Sequence, residues 1–403
     1  MNLSNLALEQ DRLNVKSKSR SNIFPWRGQF TPQFIEYLLS TFAKPGDIVI
    51  DPFSGSGTVL HECILRGLSC YGYEINPAAY AMSKFFTLSN ISIEERKTIL
   101  SDLKSVIQNA LDPIEDMPLF QSKKLHREKY ANLIEFSNVL FSNLNSQLQR
   151  LVLVNMLFIA ENRRNGSISS AISNSFEYIK NKLLELPYTN NPIYAKLCDS
   201  RLTHVDKEKY ANVVITSPPY INVFNYHQNY RAILETLGWD LLRVAKSEIG
   251  SNRKNRGNRF KTVIQYCLEI EQTLQSLWKS LSDESIIVFV VGRESKVRGI
   301  SFYNGAIIKD ILTQMGCFEN VNNHERHFIN RFGAKIKEDI IVARKTRRAF
   351  SESVGKNIAI KHLEKSLPNS TDDVREDIKE AISQAGETHH SPFLNRKEIF
   401  VDA

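Results

Sequence analysis

The pentapeptide Thr216-Ser-Pro-Pro-Tyr220 follows the apolar run Asn212 to Ile215. Pro218 and Pro219 cannot donate backbone hydrogen bonds and hold the chain extended. Carbonyl oxygens are thereby left free at a strand end, with an aromatic ring immediately after. The arrangement suits a flat base carrying an exocyclic amino group. Ser217 Oγ and the Pro218 carbonyl could accept its two N–H groups while Tyr220 stacks on the ring. A second group of residues, Asp51-Pro-Phe-Ser-Gly-Ser-Gly-Thr58, follows another apolar run and precedes a helical one. Gly55 and Gly57 let backbone approach a ligand at a helix N-terminus. The loop lacks the GK[ST] ending of a P-loop, and Leu60 stands where a dinucleotide fingerprint has its third glycine. Glu74 lies 17 residues beyond Gly57. An acid near that position can accept hydrogen bonds from ribose hydroxyls.

The elements that must position these groups alternate. Strands are predicted at 47–53, 69–74, 195–199, 212–217, 285–292 and 338–344, with helical stretches between the first of them. That order predicts an α/β fold with a mostly parallel, Rossmann-like sheet covered on both faces. Residues 91–192 interrupt the pattern with helical sequence. Leu133, Phe136, Leu140, Leu144, Leu148 and Leu151 read as one apolar stripe of an amphipathic helix. From Ala349 onward the chain is polar and mixed in charge, which predicts a weakly attached helical appendage. Four segments follow: 1–90 with the cofactor loop, 91–192 as a helical insertion and candidate DNA-contact lobe, 193–348 as the catalytic half, and 349–403 as the appendage.

Taken in order, these segments resemble the amino-methyltransferases of DNA, which move a methyl group from S-adenosylmethionine to cytosine N4 or adenine N6. Phe24-Pro-Trp-Arg-Gly-Gln-Phe-Thr-Pro32 looks like the family segment that closes over the methionine end of the cofactor. DPFSGSGT (51–58) is similar to its glycine loop, GYEINP (72–77) to the segment whose acid holds the ribose, and TSPPY to its catalytic motif. Asp199 falls where the family places an acid or amide near the adenine. The resemblance covers roughly 23–88 and 194–345. It implies a class I methyltransferase sheet, S-adenosylmethionine as cofactor, and a cofactor site drawn from Phe24, Trp26, Thr31, Asp51, Phe53, Gly55, Gly57, Thr58, Glu74, Asn76 and Asp199. Ser217, Pro218, Pro219 and Tyr220 carry the catalytic role. Two departures stand out: about a hundred residues separate Glu74 from Asp199, and no segment matches a known target-recognition domain.

An exocyclic amine is a weak nucleophile because its lone pair is delocalised into the ring. Accepting both N–H bonds favours a pyramidal nitrogen, and alignment with the sulfonium methyl supplies proximity. Cytosine N4 is preferred because the motif begins with serine. Adenine N6, an RNA base, and a catalytically idle DNA-binding subunit are the alternatives in that order. C5-cytosine chemistry needs a cysteine nucleophile, usually after proline. The residues before the five cysteines are Glu62, Ser69, Leu197, Tyr266 and Gly316, so that chemistry is disfavoured.

Composition agrees with this reading. The formal net charge is +8, yet residues 349–403 carry seven Lys/Arg against ten Asp/Glu, which leaves +11 on the first 348. A polyanionic partner fits that surplus. Ser251 to Lys261 holds Arg253, Lys254, Arg256, Arg259 and Lys261 with no acid, and predicts a flexible loop that contacts phosphates. The expected partners are double-stranded DNA and a cognate restriction endonuclease, with no membrane. The first twenty residues lack the apolar run of a secretory signal. The scattered cysteines form no CxxC pair, which disfavours a zinc ribbon or a disulfide framework and fits a reducing cytoplasm. No metal is expected.

Overall fold

The computed structural model describes residue 3 and residues 6–15, 18–115, 125–162, 167–205, 210–221, 226–251, 255–329 and 333–394. Nine strands occur among them: β1 (Ile48–Asp51), β2 (Ser69–Glu74), β3 (Ile193–Leu197), β4 (Ala211–Thr216), β5 (Leu281–Gly292), β6 (Glu294–Val297), β7 (Ile300–Tyr303), β8 (Phe318–Ile329) and β9 (Lys335–Lys345). Seven form one sheet in the order β3-β2-β1-β4-β5-β9-β8, while β6 and β7 make a separate hairpin. β1 to β5 run parallel, and β9 and β8 are antiparallel to their neighbours. The chain builds outward from β1 to β3 on one side, then returns to lay β4 and β5 on the other. The crevice at that reversal, above the carboxyl ends of β1 and β4, is where open α/β sheets bind ligands.

The central strands are near-continuous apolar runs because both faces are covered. Val49, Val213, Ile215, Val288 and Val290 face one core, while Ile50, Val214, Ile287, Phe289 and Val291 face the other. β8 and the β6–β7 hairpin were not foreseen. β8 has the sequence FENVNNHERHFI and lies at the sheet edge with most side chains solvated. An edge strand that buries one residue in several leaves no apolar run to read. β3 starts earlier than expected and stops at Leu197, so Cys198 and Asp199 lie beyond the strand end.

The single stripe expected in the insertion is two helices. Leu125–Ser142 carries Leu133, Phe136 and Leu140, and Gln147–Asn162 carries Leu148 and Leu151. Leu144 sits buried in the break, where Asn143, Asn145 and Ser146 supply turn chemistry. With Ile93–Glu115 and Ile168–Glu185, these helices make the insertion. It shares a core with one face of the sheet: Leu151 through Ala160 are all buried, beside the helix Pro77–Phe85. Asn155, the polar interruption of that run, donates from Nδ2 to the carbonyls of Ala81 and Leu151, both at 2.9 Å.

The C-terminal region corrects the expectation of a weakly attached appendage. The helix Val354–Ser366 buries Ile358, Ala359 and Leu363 completely in the second core. Its first turn has no side-chain cap of its own; Glu271 accepts Val354 N at 2.9 Å and Gly355 N at 2.8 Å. A Cβ on Gly355 would lie 2.5 Å from the Cys267 carbonyl oxygen, so the two backbones meet directly. Charged residues on the outer face of this helix hide its narrow apolar stripe from a compositional reading.

Candidate active site

The glycine loop starts from Asp51, 2% exposed at the end of β1. Its Oδ1 accepts the Thr216 hydroxyl at 2.6 Å and Phe53 N at 3.1 Å. Burial pushes the carboxyl up to about 7, and these bonds act in the opposite direction. β1 and β4 are paired neighbours, so the Asp51–Thr216 bond ties the glycine loop to the first residue of TSPPY. Gly55 and Gly57 both have positive φ, +52° and +87°. A Cβ on Gly57 would lie 2.7 Å from Phe86, so only glycine lets the helix Thr58–Leu65 start there. Ser56 Oγ donates to Gln29 Oε1 at 2.7 Å and Thr58 Oγ1 to Asn22 Oδ1 at 3.1 Å, strapping the 22–29 segment over the loop.

Glu74 ends β2 and reaches back to that loop. Oε2 accepts Gly55 N and Oε1 accepts Asn76 N, each at 2.8 Å. Burial pushes its carboxyl up to about 7, and the nearby Glu248 carboxylate acts in the same direction. Asn76 caps the helix Pro77–Phe85 through Oδ1, which accepts Ala78 N at 3.0 Å. Its Nδ2, like Ser54 Oγ, is buried with no hydrogen-bond partner among the described residues. Two unanswered polar groups beside a carboxylate and a glycine loop fit a polar, nucleoside-bearing ligand.

The remaining expected cofactor residues separate. Trp26 lies against Gly55, where an added Cβ would be 3.8 Å from its ring. It stacks on Tyr226 (5.9 Å, 17°) and Tyr230 (6.5 Å, 15°). Phe24 is 2% exposed and edge-on to Phe85 and Phe86 at 5.3 and 6.1 Å, a core anchor with no free face for a ligand. The Thr31 carbonyl starts the helix Pro32–Phe42 by accepting Phe34 N at 3.1 Å. The half-buried Phe53 ring packs against the second core. Asp199 departs from expectation: Oδ1 accepts Arg201 N (3.1 Å) and Nε (2.8 Å), and Oδ2 accepts Arg201 Nη2 (2.5 Å) and Leu394 N (3.2 Å). Both oxygens are committed inside the protein, which removes Asp199 as a direct acceptor for adenine.

In the TSPPY motif, Ser217 Oγ and Tyr220 Oη stand 3.5 Å apart. Pro218 is buried and Pro219 half-buried. Tyr220 lies flat against Gly292 at the end of β5, where a Cβ would be 2.9 Å from its ring. Burial raises its hydroxyl above the ordinary range, so it stays neutral. Asn304 holds this corner, donating to the Gly292 carbonyl at 2.8 Å and accepting Ile221 N at 3.4 Å. Sequence reasoning missed Asn304, Tyr226 and Tyr230. The last two were findable as aromatic residues four apart, just downstream of TSPPY.

The basic segment is anchored rather than flexible over its described part. Asn258 Nδ2 donates to the Asp377 carbonyl (2.7 Å) and to Glu380 Oε2 (3.0 Å), both on the helix Asp372–Ser383. Lys261 opens the helix Lys261–Ser280 and its Nζ bonds Gln384 Oε1. Arg259 is half-buried and Arg256 exposed, while Arg253 and Lys254 lie outside the described residues. Among the described residues no group of three His, Cys, Asp or Glu side chains could hold a metal ion. None of their helices is long and apolar enough to cross a membrane.

A mostly parallel sheet with a glycine loop at β1, an acid at β2 and a Pro-Pro-aromatic motif at β4 defines a Rossmann-like methyltransferase sheet. Residues 8–85 match the family model described as DNA methylase. The chain is 37% identical over 95 residues to the type II methyltransferase M.MjaII of Methanocaldococcus jannaschii, covering 23% of this chain and 18% of that one. It is 21% identical over 278 residues to the type II methyltransferase M.BsoBI of Geobacillus stearothermophilus, covering 57% and 55%. It thus spans less than two thirds of either relative. Among solved structures, a SAM-dependent methyltransferase of Methanosarcina mazei aligns over 77% of this chain and 98% of its own, with 9% identity and a TM-score of 0.34. The cofactor of the family is S-adenosylmethionine, and the loop, the acid and the unanswered Ser54 and Asn76 groups fit it.

Proposed function

We propose that this chain transfers a methyl group from S-adenosylmethionine to the exocyclic amine of a base flipped out of duplex DNA, with cytosine N4 as the acceptor. The observation that carries the reading is the 2.6 Å bond from Thr216 to Asp51. Through it, the loop that fits the methyl donor and the motif that fits the acceptor amine share one hydrogen bond between adjacent strands. S-adenosylmethionine supplies an electrophilic sulfonium methyl. Gly55 and Gly57 would give its methionine end close backbone approach, and Glu74 would accept from its ribose. Ser217 Oγ and the Pro218 carbonyl accept the two amine N–H bonds, leaving the nitrogen lone pair directed at the methyl, and Tyr220 stacks on the base. The nitrogen would attack the methyl directly as its bond to sulfur breaks, releasing S-adenosylhomocysteine, and the extra amine proton would pass to water, so no protein nucleophile is needed. A stacked base cannot reach this site, which makes extrusion from the helix part of the reaction.

The serine that opens SPPY supports cytosine over adenine. Duplex DNA as substrate, a cognate endonuclease as partner and a cytoplasmic setting complete the reading. Labelled S-adenosylmethionine, incubated with the protein and mixed-sequence duplex DNA, should yield N4-methylcytosine on digestion. N6-methyladenine would reassign the acceptor. Absence of label in DNA alongside label in RNA would overturn the substrate.

A further inference from the structure

The parallel strands end in a row, with the glycine loop above β1, Glu74 above β2 and Leu197 at the end of β3. Glu74 stands opposite Leu197 in the register, and Cys198 N donates to the Glu74 carbonyl at 2.9 Å. A nucleoside whose ribose reaches Glu74 therefore extends its base away from β1, over the end of β3. The C-terminal part of the chain returns to that place. Leu394 packs with Tyr80, Leu197 and Val244, and Ile75 and Trp239 border the cluster. Ile75 directly follows Glu74, so this apolar surface begins one residue beyond the acid.

The returning segment is held closely. Ser391 N donates to Glu269 Oε1 at 2.7 Å, and Arg201 donates to the carbonyls of Ser391 (2.9 Å) and Pro392 (3.0 Å). Leu394 N donates to Asp199 Oδ2 at 3.2 Å, and the Arg201 guanidinium lies 4.6 Å over the Phe393 ring. Arg201 and Asp199 are both fully buried, and the segment caps them. A buried ion pair whose remaining donors and acceptors are answered by one passing strand of backbone is an anchor for that backbone.

We infer that residues 389–394 form the outer wall of the nucleoside end of the cofactor site, with Leu394 and Ile75 as the apolar surface bordering the adenine and the Asp199–Arg201 pair as the anchor. The inference rests on the S-adenosylmethionine reading above. It gives Asp199 a positioning role, exerted through the strap.

Three variants test it: the chain ended at Thr388, Leu394→Asp, and Leu394→Met. Cofactor affinity is read by calorimetry, turnover by methyl transfer, and folding by the thermal midpoint. The shortened chain and Leu394→Asp should bind S-adenosylmethionine about tenfold or more weakly, with KM rising by the same factor and kcat at saturation nearly unchanged. Leu394→Met should bind as wild type does, because it keeps the apolar surface. If the shortened chain does not fold, Leu394→Asp decides the matter. A folded shortened chain or a folded Leu394→Asp protein that binds as tightly as wild type, or more tightly, overturns the wall and leaves the methyltransferase reading intact. A wild-type chain that binds no S-adenosylmethionine overturns both.

Discussion

Asp51 and Glu74 place two carboxyls at the glycine loop, each pushed by burial to about 7. Their folded values lie above the unfolded ones, so the stability they contribute is complete below the ordinary carboxylate range and is lost as pH rises through about 7. On the proposed function, cofactor binding has the opposite sign, because Glu74 would accept ribose hydroxyls best when ionised. Affinity for S-adenosylmethionine should therefore weaken as pH falls from 8 to 6, and Glu74→Gln should flatten that profile whatever its absolute affinity. A wild-type affinity independent of pH over this interval would count against Glu74. At the acceptor, Ser217→Ala and Tyr220→Ala should slow methyl transfer with cofactor affinity unchanged. Each loses a positioned hydrogen bond or a stacking ring, on the order of 1–3 kcal/mol, and a Tyr220→Ala protein at the wild-type rate would remove the ring from the mechanism. TSPPY, the glycine loop and Glu74 were legible because each motif is a local pattern. The commitment of Asp199 was not legible because one of its partners, Leu394, is 195 residues away, and the burial of Phe24 was not because an aromatic residue in a motif does not announce which way it faces.

At the level of elements, strands and helices of the central sheet followed from apolar runs and turn residues, while β8 was lost among polar residues and the tail, expected to be helical, hid the apolar stripe that packs it into the core. The helix Val354–Ser366 offers a direct measurement. Glu271→Ala would leave Val354 N and Gly355 N without their buried acceptor at the helix start. A loss of about 2–4 kcal/mol in unfolding free energy by urea titration follows, with little change if the C-terminal region were a loose appendage. The glycine loop sorts in the same way. Substitution of either glycine strains a positive φ, but at Gly57 it also meets Phe86 and so tests folding; Gly55, whose nearest neighbour is the Trp26 ring at 3.8 Å, is the milder position at which to test ligand entry.

Across the whole molecule, the charge surplus of residues 1–348 was visible in composition, but which cations stand free was not. The acidic helix Asp372–Ser383 and the turn after it take up Asn258 and Lys261 of the basic segment, leaving Arg256 exposed. If the segment meets phosphates, Arg256→Gln should reduce the log–log salt slope of duplex binding by about one unit, and Lys261→Gln by less. Equal slopes for wild type and Arg256→Gln would return the segment to an ordinary solvated surface.

The helical insertion carries a kinetic consequence. β2 and β3 pair as parallel neighbours although residues 75–192 lie between them. Closing a segment of that length costs only about 2 kcal/mol more than closing one of a dozen residues. Its helices make contacts close in sequence, which form fast, whereas docking β3 beside β2 waits on a distant encounter. The β3 edge, where Glu74, Cys198 and the C-terminal strap converge, thus assembles after the helices of the insertion, and refolding followed at Trp239 should lag behind the recovery of helical signal.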